Sequence, residues 1–302
     1  MNIVTLNDSP EVIAKAMGLA EAPTESKSTA IKLARLKVNN TPIMGTEEIK
    51  GKKVNIEKIS GGTFRLDLPD DGGVYYKDDI AIKTFFTRYM YKKWDMGKNN
   101  FVRSVMVDSV KALRNTDVKD TDGGYNCGRS SGFMDRETYD ALPENRKTLI
   151  KSVKAVRVIL GMVNFDGATR VDGDVMTTED LGFVPFIMEV SNVESFKDME
   201  QSFSKLSTMK QNAIHFLTSI ATEPRKLPNG NTFYVTKANV DLGNKITPSS
   251  ADEEAFVNFQ TWMQSHNQFV ISKHNENAHN NESVDKGLVE TFIDITSDEK
   301  VQ

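Results

Sequence analysis

Cysteine is almost missing from this chain: Cys127 is the only one in 302 residues. A single thiol closes no internal disulfide and builds no cysteine-rich zinc site, and its rarity fits a reducing compartment. Long apolar runs are missing too. No stretch approaches the roughly 20 residues that a membrane-spanning helix needs. The start, Met1-Asn2-Ile3-Val4-Thr5, has neither the positive region nor the apolar stretch of a secretory leader. The expectation is a soluble protein that stays where it is made, with no membrane partner.

An excess of one charge is also missing from most of the chain, since 38 Lys+Arg stand against 42 Asp+Glu. The imbalance is local. Residues 282–302 hold six acids (Glu282, Asp285, Glu290, Asp294, Asp298, Glu299) and two lysines, which is the whole formal net charge of −4. A neutral body with an acidic end is a specific arrangement.

The usual catalytic signatures fail when tested for spacing. Gly45 to Lys53 has five residues between its glycines and no Ser/Thr after the lysine, so it is no P-loop. His274-Asn275-Glu276-Asn277-Ala278-His279 lacks the spacing and setting of a zincin helix. Asp117, Asp120, Asp122 and Gly123 are misspaced for a calcium loop. His215 sits in an apolar run and reads as a core histidine. No nucleophile–base pair can be assembled, and the chain reads as a non-enzyme without cofactor or metal.

What is present is a β-rich pattern. Residues 1–29 read as a short helix (Pro10 to Met17) and a polar linker. From Ile31 to Leu68 apolar residues alternate between glycine-rich turns, and further strand-like runs cover Val74 to Trp94, Phe101 to Val110, Ala155 to Leu160 and Phe183 to Val190. A hairpin is expected across Pro228-Asn229-Gly230, joining Asn212 to Thr222 with Thr232 to Val240. Pro143 to Lys154 reads as helical. Apolar spacing of three and four predicts helices near 193–207 and 250–272. The fold class expected is β-rich α+β: an OB-like antiparallel barrel or sheet over residues 30–272 with helical additions, then a disordered acidic tail over 273–302.

The strongest functional signal lies between Ile82 and Arg103. It holds Lys83, Arg88, Lys92, Lys93, Lys98 and Arg103 against one acid, Asp95, interleaved with Phe85, Phe86, Tyr89, Tyr91, Trp94 and Phe101. Single-stranded nucleic acid asks a protein for cations along a phosphate path and flat faces for its bases, each stacked base contributing about 1–3 kcal/mol. On a strand, one face of this segment would be core and the other a binding floor. The other reading is an ordinary sheet strand with a solvated basic edge.

Secondary candidates are Arg146, Lys147, Lys151, Lys154 and Arg157, where Lys147, Lys151 and Lys154 would share a helix face. The loop Gly124 to Phe133 adds Arg129 and Tyr125 as a phosphate and base clamp. At the acidic end, Asp285, Glu290, Phe292, Asp294, Asp298 and Glu299 combine negative charge with an aromatic anchor.

The segments KLARLKVNNTPIMG, GGTFRLDLPDDGGVYY, FFTRYMYKKW, GGYNCGRSSGF, ALPENRKTLIKSVKAVRVILG, VPFIMEV and RKLPNGNTFYV carry a resemblance. Together they look like a tailed-bacteriophage protein of the replication region, similar in organisation to phage single-stranded-DNA-binding proteins. The resemblance implies single-stranded DNA binding in phage replication or recombination, in the cytoplasm of the infected bacterial host. It further implies an acidic tail that competes with DNA or recruits a phage polymerase, helicase or recombination protein. Here the pattern departs in two ways: Lys300 to Gln302 follow the acids, and the aromatic, Phe292, is not terminal. The rival reading is a phage structural or assembly protein that forms homo-oligomers through its aromatic strands. A third is a metal-dependent nuclease using Asp117, Asp120, Asp122 or Asp172.

Overall fold

Alternation is plainest in β9 (Phe183–Val190), where Val184, Phe186, Met188 and Val190 are buried and the residues between them are half-exposed. The computed structural model describes residues 33–70, 72–115, 118–124, 136–176 and 183–283. The other strands are β1 (Ala34–Val38), β2 (Ile43–Ile49), β3 (Lys52–Ile59), β4 (Phe64–Asp67), β5 (Val74–Lys77), β6 (Ile80–Asp95), β7 (Asn100–Arg103), β8 (Val153–Asn164), β10 (Phe216–Lys226) and β11 (Thr232–Lys245). The helices are α1 (Val110–Asn115), α2 (Arg136–Asp140), α3 (Glu144–Ser152), α4 (Val193–Thr208) and α5 (Ser250–Ser283). The expected helix at 10–17, the linker and the acidic end beyond Ser283 lie outside the described residues.

The chain divides into two compact units, one of residues 1–87 with 157–262 and one of residues 88–156 with 263–302. The strands of the main sheet follow the order β11-β10-β6-β8-β9-β1-β4-β5. Most neighbours are antiparallel, but β1 and β9 run parallel, so the sheet is mixed. With β7 beside the far half of β6 it has nine strands in all. The α+β, β-rich expectation holds. The sheet is open, however, because its end strands β11 and β5 do not pair with each other, and no closed barrel forms among the described residues.

The first unit's core gathers Leu36, Phe64, Leu66, Ile82, Ile159, Val163, Phe165, Phe186 and Met188. Helix α4 covers it with Met199, flanked by the partly buried Phe196 and Phe203. That helix starts where Asn192 accepts a hydrogen bond from the Ser195 N–H, a side-chain cap that stops the first turn from fraying. The β10–β11 hairpin turns through Pro228-Asn229-Gly230, with Gly230 at φ 84° and the Asn229 side chain accepting from Asn231 N–H. Where β8 runs against β6, Gly161 is required: a Cβ there would overlap the Lys83 carbonyl oxygen.

In the second unit, the end of β6 pairs with β7, and the latter half of α5 is tied to the segment after β7. The Asn267 amide accepts from Met106 N–H at 2.8 Å and donates to Met106 C=O at 3.1 Å. Asn277 donates to the Thr121 carbonyl at 2.6 Å. Residues 273–283, expected to be disordered, are therefore helix. Asparagine is a poor helix former, but here the Asn277 side chain satisfies a backbone carbonyl that the chain after β7 leaves open.

Candidate functional site

Strand β6 decides how much of the basic aromatic segment is accessible. Its residues from Thr84 to Phe86 and from Arg88 to Tyr91 are all buried, so both faces are covered over most of its length. Phe85 meets Phe259 edge-on at 5.6 Å, and Phe86 lies against Phe256 at 4.8 Å, inside the first unit. In the second, Tyr89 and Tyr91 are interior, and the Tyr91 N–H donates to Ser104 Oγ at 2.8 Å. Phe86, Tyr89 and Tyr91 are thus core rings, which corrects the expectation that one face of this stretch is a binding floor. Arg88 is buried as well. Desolvation draws its guanidinium down to about 10, with Asp108 and Tyr89 opposing the shift, so it stays charged at neutral pH. Lys83 is committed to Asp252 at 2.8 Å and lies 4.4 Å from the centre of the Phe183 ring, away from any phosphate path.

The end of β6 is different. From Lys92 to Asp95 the strand pairs with β7, in the register Lys92↔Arg103, Lys93↔Val102, Trp94↔Phe101 and Asp95↔Asn100. Directly opposed residues share a face and alternate residues return to it, so Lys92, Trp94, Phe101 and Arg103 form one face. Trp94 is 45% exposed and Phe101 43%. Their rings meet edge-to-face at 4.7 Å and 71°, and the Lys92 ammonium lies 4.0 Å above the Phe101 ring. Lys93 falls on the opposite face beside buried Val102, so the two adjacent lysines do not act as a pair.

The hairpin is held at both ends. At its tip the Asp95 carboxylate accepts from Gly97 N–H at 2.9 Å and Lys98 N–H at 3.2 Å, and Asn99 takes a positive φ of 48°. At its base Arg103 N–H donates to Thr121 Oγ1, and the Arg103 carbonyl accepts from Thr121 N–H. Lys98 pairs with Asp122, and that hydrogen-bonded contact holds its ammonium above the ordinary lysine range. Among the described residues no ion pair engages Arg103 or Lys93.

The second basic cluster does not stay together. Helix α3 ends at Ser152, so Lys154 stands on β8 rather than on the helix face of Lys147 and Lys151. Lys147 is paired with Glu144 at 3.3 Å, while Lys151 and Lys154 are exposed. Arg157 is fully buried, ion-paired with Glu200 and stacked 4.9 Å from the Phe196 ring, so it is a core residue. Arg129 and the tail residues Asp285, Glu290, Phe292, Asp294, Asp298 and Glu299 lie outside the described residues, as does Asp117.

Among the described residues no group of three or more His, Cys, Asp or Glu could hold a metal ion. Asp120 is buried and accepts from the N–H groups of Asp122 and Gly124, and Asp172 accepts from Asp174 N–H, so both serve local turns. His215 is half-buried in a single 3-10 turn, Ala213–His215. Burial lowers its pKa against a weak contact to the Ile246 carbonyl. Among the described residues no helix is long and apolar enough to cross a membrane.

Phe101 is the residue whose importance the sequence underplays. The signal was the turn Asp95-Met96-Gly97-Lys98-Asn99, which folds β7 back so that Phe101 meets Trp94. In comparisons with protein-family models, curated proteins and solved structures, nothing matches this chain. A functional reading therefore rests on the geometry above and on the motifs quoted from the sequence.

Proposed function

We propose that this chain binds single-stranded DNA with little sequence preference, in phage replication or recombination, through the Lys92–Trp94–Phe101–Arg103 face of the β6–β7 hairpin. One observation carries the reading: two large rings are exposed side by side, flanked on the same face by two cations. A water-soluble surface gains nothing from presenting Trp and Phe together. A polynucleotide supplies flat bases for the rings and phosphates for the cations, and this stacking is sequence-tolerant because every base has a π-face. The reading needs no OB-type barrel, only a rigid hairpin, which the Asp95 and Thr121 contacts supply. Lys151 and Lys154 are exposed cations of the same unit and extend the phosphate-binding set, while Lys98 is held by Asp122. In this reading the acidic end competes for the same cations or recruits replication partners.

The test is anisotropy of a labelled oligothymidylate across a salt series. Log affinity should fall linearly with log salt, with a slope of roughly −2 to −3 if three to four phosphates are neutralised. Phe101→Ala and Arg103→Ala should each weaken binding. Affinity independent of salt, or unchanged in both variants, removes the proposal. A chain that elutes as a large homo-oligomer and never binds DNA would instead favour the assembly reading.

A further inference from the structure

The β2–β3 ribbon poses a physical problem that the nucleic-acid reading leaves unsolved. It forms a two-stranded sheet of its own, and no other described strand pairs with it. Every residue from Thr46 to Asn55 is exposed. An isolated two-stranded ribbon is marginal in water at best, because stability needs further strands or a covered apolar face. Yet this ribbon is well specified, with a tight turn at Lys50 (φ 52°) and Gly51 (φ 75°) and paired register from Met44↔Glu57 to Ile49↔Lys52. One face carries Ile49, Val54 and Ile56 together with Glu47 and Lys52; the other carries Met44, Thr46, Glu48, Lys53, Asn55 and Glu57.

Charge decides what covers it. Residues 43–59 contain four lysines, three glutamates and no aromatic ring, so the ribbon offers a polynucleotide only one net positive charge and no stacking surface. It is, however, complementary to itself. When β3 pairs antiparallel with β3 of a second copy about a two-fold axis through Asn55, each Lys53 falls opposite the other copy's Glu57. Each Val54 then falls opposite the other copy's Ile56. Ion pairs form on one face and Val–Ile pairs on the other, in one register, which is what an isologous contact requires. A one-residue slip loses both of these pairings and in one direction leaves only a Lys52–Glu57 contact. Lys52 falls opposite the other copy's Lys58, and that repulsion is eased because Lys58 is already paired with Glu47 at 2.6 Å.

We propose that the β3 edge is a homodimer contact, in which two ribbons join into a four-stranded antiparallel sheet with Asn55 on the two-fold axis. The inference is independent of the DNA-binding face, since it uses none of those residues.

Sedimentation of the full chain over a concentration series tests it, together with three charge variants. Wild type should dimerise reversibly. Lys53→Glu and Glu57→Lys should each weaken dimerisation by about tenfold or more, since each change acts twice across the axis. The double variant Lys53→Glu/Glu57→Lys should restore it. In a Cys127→Ser background, Asn55→Cys should oxidise to a covalent dimer, because directly opposed strand residues lie within disulfide reach. Thr46→Cys, on the far strand, should not. A wild type that stays monomeric at all concentrations, or a dimer indifferent to both single variants, overturns the proposal. So does a monomer whose oligonucleotide affinity falls with Lys53→Glu, which would assign the ribbon to nucleic acid.

Discussion

The Lys83 ammonium lies 2.8 Å from one Asp252 carboxylate oxygen and 3.0 Å from the other, with the two side chains 14% and 2% exposed. Asp252 also closes the start of α5: it accepts from Ser249 N–H and Oγ–H, and its own N–H donates back to Ser249 Oγ. One carboxylate therefore links the middle of β6 to the first turn of the longest helix. Truncating Lys83 would leave that charge buried and half-satisfied. Lys83→Ala should lower the unfolding free energy by about 3 kcal/mol, read from denaturant midpoints, while oligonucleotide affinity of the folded fraction stays unchanged.

The same pair sets an acid limit on stability. Burial alone would raise the Asp252 pKa, but Lys83 and Ser249 outweigh it and hold the carboxyl below its ordinary value. Asp67, held by Lys37 at 2.7 Å and Arg65 at 2.5 Å, is lowered in the same way against a smaller burial. A carboxyl depressed in the folded state contributes stability that is fully present above its unfolded pKa of about 3.9 and is lost as pH falls through the folded value. Stability should be flat from pH 7 to about 5 and drop below about 4. Asp252→Asn should be less stable at pH 7 and show a shallower acid decline.

Gly161 tests the close approach of β8 to β6. Gly161→Ala drives a methyl group into the Lys83 carbonyl, and backbone cannot yield as a flexible side chain would. A loss of about 1–3 kcal/mol is expected, measured by chemical denaturation. An unchanged midpoint would mean the strands are further apart than described.

Asp122 is the acid that sits against the proposed DNA face, through its pairing with Lys98 at the hairpin tip. Asp122→Asn removes a negative charge and releases a lysine. Affinity for an oligothymidylate at low salt should rise about two- to threefold, and the salt dependence should steepen by about 0.7 for the added phosphate contact.

Much of the architecture was legible because local signals were strong. The strand run of β9, the Pro228-Asn229-Gly230 turn and the three-and-four apolar spacing of α4 each identify an element without help from the rest of the chain. The accessibility of β6 was not legible. Phe86, Tyr89 and Tyr91 look the same in sequence whether they stack on a base or on a core, and only the fold settles it: Phe256, 170 residues on, lies against Phe86, while Val107 and Ser104 bond the backbone at Tyr89 and Tyr91. Arg157 was misread for the same reason: its partner Glu200 belongs to a distant helix. Asn277 shows the converse error, where a composition that signals disorder supplies a hydrogen bond that holds a helix in place.

The most direct test of the DNA-binding face uses its own tryptophan. The chain has two, Trp94 and Trp262, so a Trp262→Phe variant leaves Trp94 as sole reporter. Titrating this variant with unlabelled oligothymidylate should quench Trp94 emission as bases stack on the ring, saturating in step with binding followed by anisotropy. Phe101→Ala should shift both curves to weaker affinity together. Binding that proceeds with Trp94 emission unchanged, or no binding at low salt, would contradict the account.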